Sequence, residues 1–368
     1  MNAVTTDQPV RSVRWVPGFV LLAAIWGASF LFIGVGVREL HPTYVALGRV
    51  VAGGLTLLVV LLATRDRLPR DPRLWGHLFV ASALGVVLPF TLFGYGEERV
   101  STLLAGIYNG ATPLIALPVA VLVFRTERFT RSRVVGLLMG FVGVLTVLGI
   151  WRGVGGTELT GQLLCLGAAI CYGFGIPYMR RFAVGGGQSG VAISAAQLIC
   201  ATVQLAIVAP LIAGRPAALT SLSPEVIGSV LALGILGTGL AFVMNIRNIK
   251  LIGATGAAAV AYLIPVFAVI VGVVVLHERL AWYQPVGAVI VLVGVAVSQG
   301  ALRRRGAASR VAARPAEQVV NRPRVDHGRW VDSAQRRPVA AVVEPVQLAG
   351  RVRVGVDAEA APCLDRQP

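Results

Sequence analysis

One arginine stands inside an apolar run: Arg49, in ALGRVVAGG at 46–54. A guanidinium at that depth is costly unless it snorkels to headgroups or faces a cavity. Its planar fork suits an anionic group, so Arg49 either anchors an anion or makes a fixed contact between helices. Two aromatic–glycine pairs, Trp26-Gly27 and Tyr172-Gly173, occupy similar apolar settings. Rings there suit the walls of a cavity, with glycine admitting a close backbone, or packing against lipid and neighbouring helices. Tyr108 and Asn109 precede Pro113, and Tyr262 precedes Pro265. Proline removes a helical N–H and frees a carbonyl, and Asn109 offers both donor and acceptor. These positions suit solute binding or helix–helix hydrogen bonding equally. The candidates for substrate binding are therefore Trp26, Arg49, Tyr108, Asn109, Tyr172 and Tyr262, with Pro89, Pro113 and Pro265 as expected kinks.

The acids point elsewhere. Glu127 in RTERFT and Glu278 in HERL each follow a long apolar run beside arginines, and read as structural helix-end charges. Glu97 and Glu98 fall in a short connection. No Asp lies within an apolar run, so a coupling proton or ion has no evident buried carboxylate and coupling stays open. The sequence has no His-Glu-x-x-His zinc pattern, no serine with a histidine and acid at comparable depth, and no paired carboxylates. No catalytic residue, metal ligand set or cofactor is expected. Cys165, Cys171, Cys200 and Cys363 lack metal-ligand spacing and read as small packing residues.

The elements that must position these residues follow from composition. Of 368 residues, 56% are hydrophobic and 14% charged, and the mean hydropathy is +0.76. A soluble domain carries about 25% charged residues, so soluble enzyme folds are excluded. Residues 15–302 hold 18 basic and 9 acidic side chains, whereas 303–368 hold 13 and 7. The net charge of +16 is spread in short clusters between apolar runs, without the contiguous basic face that nucleic acid requires. At about 20 residues per crossing plus a connection, residues 15–302 give ten helices, at 15–36, 43–63, 74–95, 101–123, 134–151, 160–179, 191–213, 225–246, 252–276 and 283–302. The first doubles as the insertion signal.

Loop charge sets direction. With the N-terminus (1–14) inside, inside segments carry 17 bases and outside segments 5, the latter being Arg38, Arg99, Arg152, Arg215 and Arg279. Both termini are therefore expected in the cytoplasm of a multi-pass cell-membrane protein. The tail, 303–368, has no sustained period and reads as disordered. Arg303, Arg304 and Arg305 would hold its start against anionic lipid.

The chain also repeats itself. Glu127 pairs with Glu278, Gly136 with Gly287 and Gly143 with Gly294 at an offset of 151. Ala111-Thr112-Pro113 pairs with Leu263-Ile264-Pro265 at 152, and Trp26-Gly27 with Tyr172-Gly173 at 146. Two halves follow, 15–151 and 160–302, joined by an external linker at 152–159. Five helices per half is an odd number, so the second half enters from the opposite face. Such inverted repeats underlie alternating access around a central site. A gated channel or pore for small solutes or ions is the competing reading.

These features resemble the drug/metabolite transporter superfamily, in its ten-helix EamA-type members. The resemblance rests on Trp26-Gly27, on Arg49 in ALGRVVAGG, on STLLAGIYNGATPLIALPVAVLVFRTERFT at 101–130, on GATGAAAVAYLIPVFAVIVGVVVLHERL at 253–280, and on the glycine-rich helix closing each half. It covers about residues 15–302. It implies an inner-membrane carrier, often an exporter of small metabolites such as amino acids, whose partners are that metabolite and membrane lipid. Oligomeric state is left open.

Overall fold

The computed structural model describes residues 15–125, 130–149, 151, 156–183, 187–257, 260–279 and 281–298. Among the described residues, eight helices are long and apolar enough to cross a membrane. They are α1 (Val16–Gly36), α2 (Pro42–Ala63), α3 (Pro72–Glu97), α4 (Thr102–Leu122), α5 (Arg131–Leu148), α6 (Gly156–Phe182), α7 (Gly190–Ala213) and α8 (224–257). Two shorter apolar helices follow, α9 (Val260–Val274) and α10 (Tyr283–Ser298). The chain is an all-α polytopic membrane protein. Its outer surface fits that solvent: Leu211 is 79% exposed and Leu62 75%, an arrangement that water would penalise and lipid does not. The tail at 303–368 lies outside the described residues.

Helix starts are written in the connections. His41, Asp71, Ser101, Thr130, Ser189 and Ser223 each cap a helix by accepting a backbone N–H, and Pro42, Pro72 and Pro224 occupy first turns. Gly149 ends α5 in the left-handed region, at φ +62°.

Among the described residues, three helices are interrupted. α3 widens into a π-turn at Ala83–Val87, and α8 into one at Ile235–Leu240. Leu84, Gly85 and Phe90 answer Leu236, Gly237 and Phe242 at a constant offset of 152. Pro89 directly follows the first π-turn, where its missing N–H cannot hold the carbonyl four residues back. α8 reaches the same shape without proline. α4 breaks after Asn109 and resumes at Thr112–Leu122, with Pro113 in the new first turn. Pro265 stays within α9, its ring against the α4 break; a Cβ on Gly110 would lie 2.7 Å from Pro265 Cγ.

Packing across the chain is mirrored. α1 packs on α9 and α8, and α6 packs correspondingly on α4 and α3. α2 packs on α8 as α7 does on α3, while α2 with α7, α4 with α9 and α5 with α10 meet directly. The match extends to single residues. A Cβ on Gly27 would lie 2.9 Å from the Ala268 amide, and one on Gly173 would lie 3.2 Å from the Ala116 amide. Between α5 and α10, a Cβ on Gly143 would lie 2.9 Å from the Gly287 carbonyl, and one on Gly294 would lie 2.7 Å from the Gly136 carbonyl. The order is reversed along the two helices, so they run antiparallel. Glycine lets these backbones touch where lipid supplies no hydrophobic drive.

Candidate functional site

Arg49 and Trp26 meet at the π-turn of α8. Arg49 is 7% exposed, and its Nε donates to Thr238 Oγ1 at 2.9 Å. Thr238 is itself buried and donates to the Leu233 carbonyl at 3.0 Å. The guanidinium carbon stands 3.8 Å from the centroid of Phe90, which α3 supplies just beyond its own π-turn. Trp26 Nε1 donates to the Gly237 carbonyl at 3.2 Å. A wide turn leaves such a carbonyl free for a partner outside its helix.

A buried guanidinium must be compensated. A desolvated cation–π contact contributes about 2 kcal/mol, and a hydrogen bond to a charged group about 1.5–3 kcal/mol. Tyr172 on α6 and Glu97 at the end of α3 lie within electrostatic reach of Arg49. The terminal amino groups of Arg49 make no hydrogen bond among the described residues, so they remain available to another acceptor.

Tyr172 completes this group from the opposite side. Its ring centroid lies 6.2 Å from Phe93, which stacks edge-on against Phe30 at 5.3 Å. Trp26 and Tyr172 pack on one core cluster that includes Phe30, Phe93, Leu104 and Leu233. Gln197 on α7 answers Arg49 on α2 at an offset of 148. Its amide donates to the Ala81 carbonyl at 3.3 Å, beside the π-turn of α3. The two sides thus share a plan and differ in charge.

Of the other expected positions, Tyr108 belongs to the same core cluster but is engaged within it. Tyr108 is 1% exposed and donates to Gln162 Oε1 at 2.9 Å, while Gln162 donates on to Glu158 at 3.2 Å, which ties α4 to α6. Asn109 is half-buried at the break in α4. The side chain of Tyr262 and all of Glu127 lie outside the described residues. Glu278 accepts the backbone N–H groups of Thr102 and Leu103 at 3.0 and 3.1 Å, and so caps α4 from 175 positions away. Of the six candidates, Trp26, Arg49 and Tyr172 are brought together. A separate crevice of about 230 Å³ opens between α1 and α8, lined by Ile25, Ser29, Phe32, Leu236 and Gly237. It is apolar and does not reach Arg49.

The EamA-like transporter family matches twice, over residues 13–149 and 159–299. The chain belongs to the EamA-like transporter family. An uncharacterized transporter of Archaeoglobus fulgidus is 24% identical over 286 residues, covering 77% of this chain and 97% of the relative. The uncharacterized inner membrane transporter YedA of Escherichia coli K12 is 29% identical over 263 residues, covering 68% and 79%. A protein of known crystal structure shares the fold, with a TM-score of 0.58 at 18% identity over 79% of this chain and 98% of that one. This EamA-like chain is therefore a membrane transporter that moves small solutes. Among the described residues, no cluster of His, Cys, Asp and Glu could hold a metal ion.

Thr238, Phe90 and Gln197 of this EamA-like transporter are not among the residues expected from sequence. The Leu-Gly at 84–85 and 236–237, each followed by a phenylalanine at the same distance, carries the signal in the repeat. Glu97 was expected in a connection. The structure instead continues α3 through it and encloses its carboxylate, with Oε1 buried and unpartnered.

Proposed function

We propose that the chain is a secondary transporter that exports a small metabolite, an amino acid or a related compound, across the cytoplasmic membrane by alternating access. Ten crossings form two inverted five-helix halves, 15–151 and 160–302, joined externally by 152–159, with both termini cytoplasmic and 303–368 as a cytoplasmic tail. The mirrored packing carries this reading: Gly27 sits on α9 as Gly173 sits on α4, and the corresponding helices α5 and α10 run antiparallel. Halves that exchange contacts in this way have two related arrangements, one open to each face.

The free terminal nitrogens of Arg49 are the anchor for a carboxylate, in a setting dry enough to make the pairing strong. Trp26 and Tyr172 are the walls of the path, with Asn109 at the break in α4 and Tyr262 of α9 as further contacts. Tyr108 supports it by holding α4 to α6. The π-turns are the flexing points, because a wide turn holds its carbonyls less tightly than regular helix.

The experiment is an untargeted comparison of external metabolites between expressing and non-expressing cells, followed by uptake into vesicles that contain only this protein. A metabolite difference lost on Trp26→Ala and Tyr172→Ala, with insertion intact, supports the reading. Ion current across a bilayer with no metabolite difference would replace it with a channel.

A further inference from the structure

Glu97 is a half-buried acid whose Oε1 is enclosed, and the anchor described above does not engage that oxygen. Its Oε2 accepts a hydrogen bond from Thr102 Oγ1 at 3.3 Å, and the Gly34 backbone acts on the same carboxylate as a donor. The other oxygen, Oε1, is enclosed and has no partner. Each helix around it contributes little to satisfy that atom. α1 brings the Gly34 backbone, so close that a Cβ there would lie 3.1 Å from Oε2 and 2.9 Å from Thr102 Oγ1. α6 brings the buried Cys165, and the segment before α10 brings Glu278, a second acid within electrostatic reach. α2 brings Arg49, the cation that acts on Glu97 among the described residues.

Glu278 is already committed, since its two oxygens hold the N–H groups of Thr102 and Leu103. Thr102 therefore joins the acids, its backbone bonded to one and its hydroxyl to the other. A metal cation needs several oxygen ligands at once, and here only Oε1 is uncommitted. A proton needs one. It removes a charge enclosed beside a like charge and makes the carboxyl a hydrogen-bond donor.

We propose that Glu97 is a reversible proton-binding site inside the bundle, electrostatically linked to the Arg49 anchor. Naming this the coupling proton rests on the transport reading above; the binding of the proton does not. An anion paired with Arg49 screens that cation from Glu97, so the anion and the proton bind cooperatively.

The test is infrared difference spectroscopy between acidic and alkaline pH, on the purified full-length chain in lipid nanodiscs without any solute. The expected result is a protonated-carboxyl band in the wild type that is absent in Glu97→Gln and retained in Glu278→Gln. A band that survives Glu97→Gln, or no band in the wild type, overturns the assignment. If Glu97→Gln does not fold, Thr102→Val serves instead. It removes the hydroxyl donor and is expected to shift the band, and an unshifted band overturns the proposal. Repeating the titration in sodium chloride and in choline chloride should give one result, and suppression of the band by sodium alone would make this a metal-cation site. Failure of vesicle transport with the band intact would count against the transport reading alone.

Discussion

Arg49 of α2 and Thr238 of α8 are joined by a 2.9 Å hydrogen bond across 189 positions of chain. The bond links the second helix of one family match to the π-turn of the other. It also fixes the guanidinium above Phe90, while the terminal nitrogens make no hydrogen bond among the described residues.

Arg49→Lys keeps the charge but loses the planar stack and the Nε donor. Transport in vesicles is expected to fall about tenfold, equivalent to roughly 1.4 kcal/mol, with normal insertion. Thr238→Val should lower the thermal midpoint while retaining measurable transport. Wild-type rates in Arg49→Lys would show that the charge alone suffices.

Gly27→Ala and Gly173→Ala place a methyl group against the backbones of α9 and α4 respectively. Each is expected to destabilise by about 1–3 kcal/mol, and by similar amounts because the contacts correspond. Nothing lies within 4 Å of a Cβ at Gly228, so Gly228→Ala is the neutral-to-stabilising control. Thermal unfolding in detergent reads all three.

Asp66, in the α2–α3 connection, accepts hydrogen bonds from the Ser189 hydroxyl and the Arg67 amide, and these hold its carboxyl below its ordinary value. The stabilisation is complete above the unfolded value of about 3.9 and fades as pH falls through the lowered folded value. Wild type should melt above Asp66→Asn at neutral pH, and the gap should close on acidification below about pH 4. A gap that widens on acidification would contradict this bonding.

Topology is open to thiol labelling once Cys165, Cys171, Cys200 and Cys363 are replaced by serine or alanine. A membrane-impermeant reagent applied to intact cells is expected to modify Ser221→Cys and to spare Arg70→Cys until the cells are opened. The reverse pattern would invert the orientation, and labelling of both sites before opening would break the helix count between them.

The helices were legible because lipid forces each crossing into a long apolar run, and Arg49 stood out because charge is rare within one. The π-turns were not, since no single residue type makes them: one precedes Pro89 and the other contains Gly237 and Gly239. Glu97 was misplaced for a related reason. Two adjacent acids and an arginine, at 97–99, read as a connection, yet only Glu98 and Arg99 are exposed, where they pair at 3.0 Å. Partners such as Arg49 with Thr238, or Glu278 with the start of α4, lie more than 170 positions apart, beyond the reach of local pattern.

The correspondence between the halves also limits how this chain can evolve. Thr238 answers Val86 at the offset of 152, and Gln197 answers Arg49 at 148. Two copies of the first half, assembled as the halves are here, would set each Arg49 beside a valine that offers it no acceptor. The arginine of the first half thus relies on a hydroxyl that the second half carries and the first does not, so the two halves are no longer interchangeable at this contact.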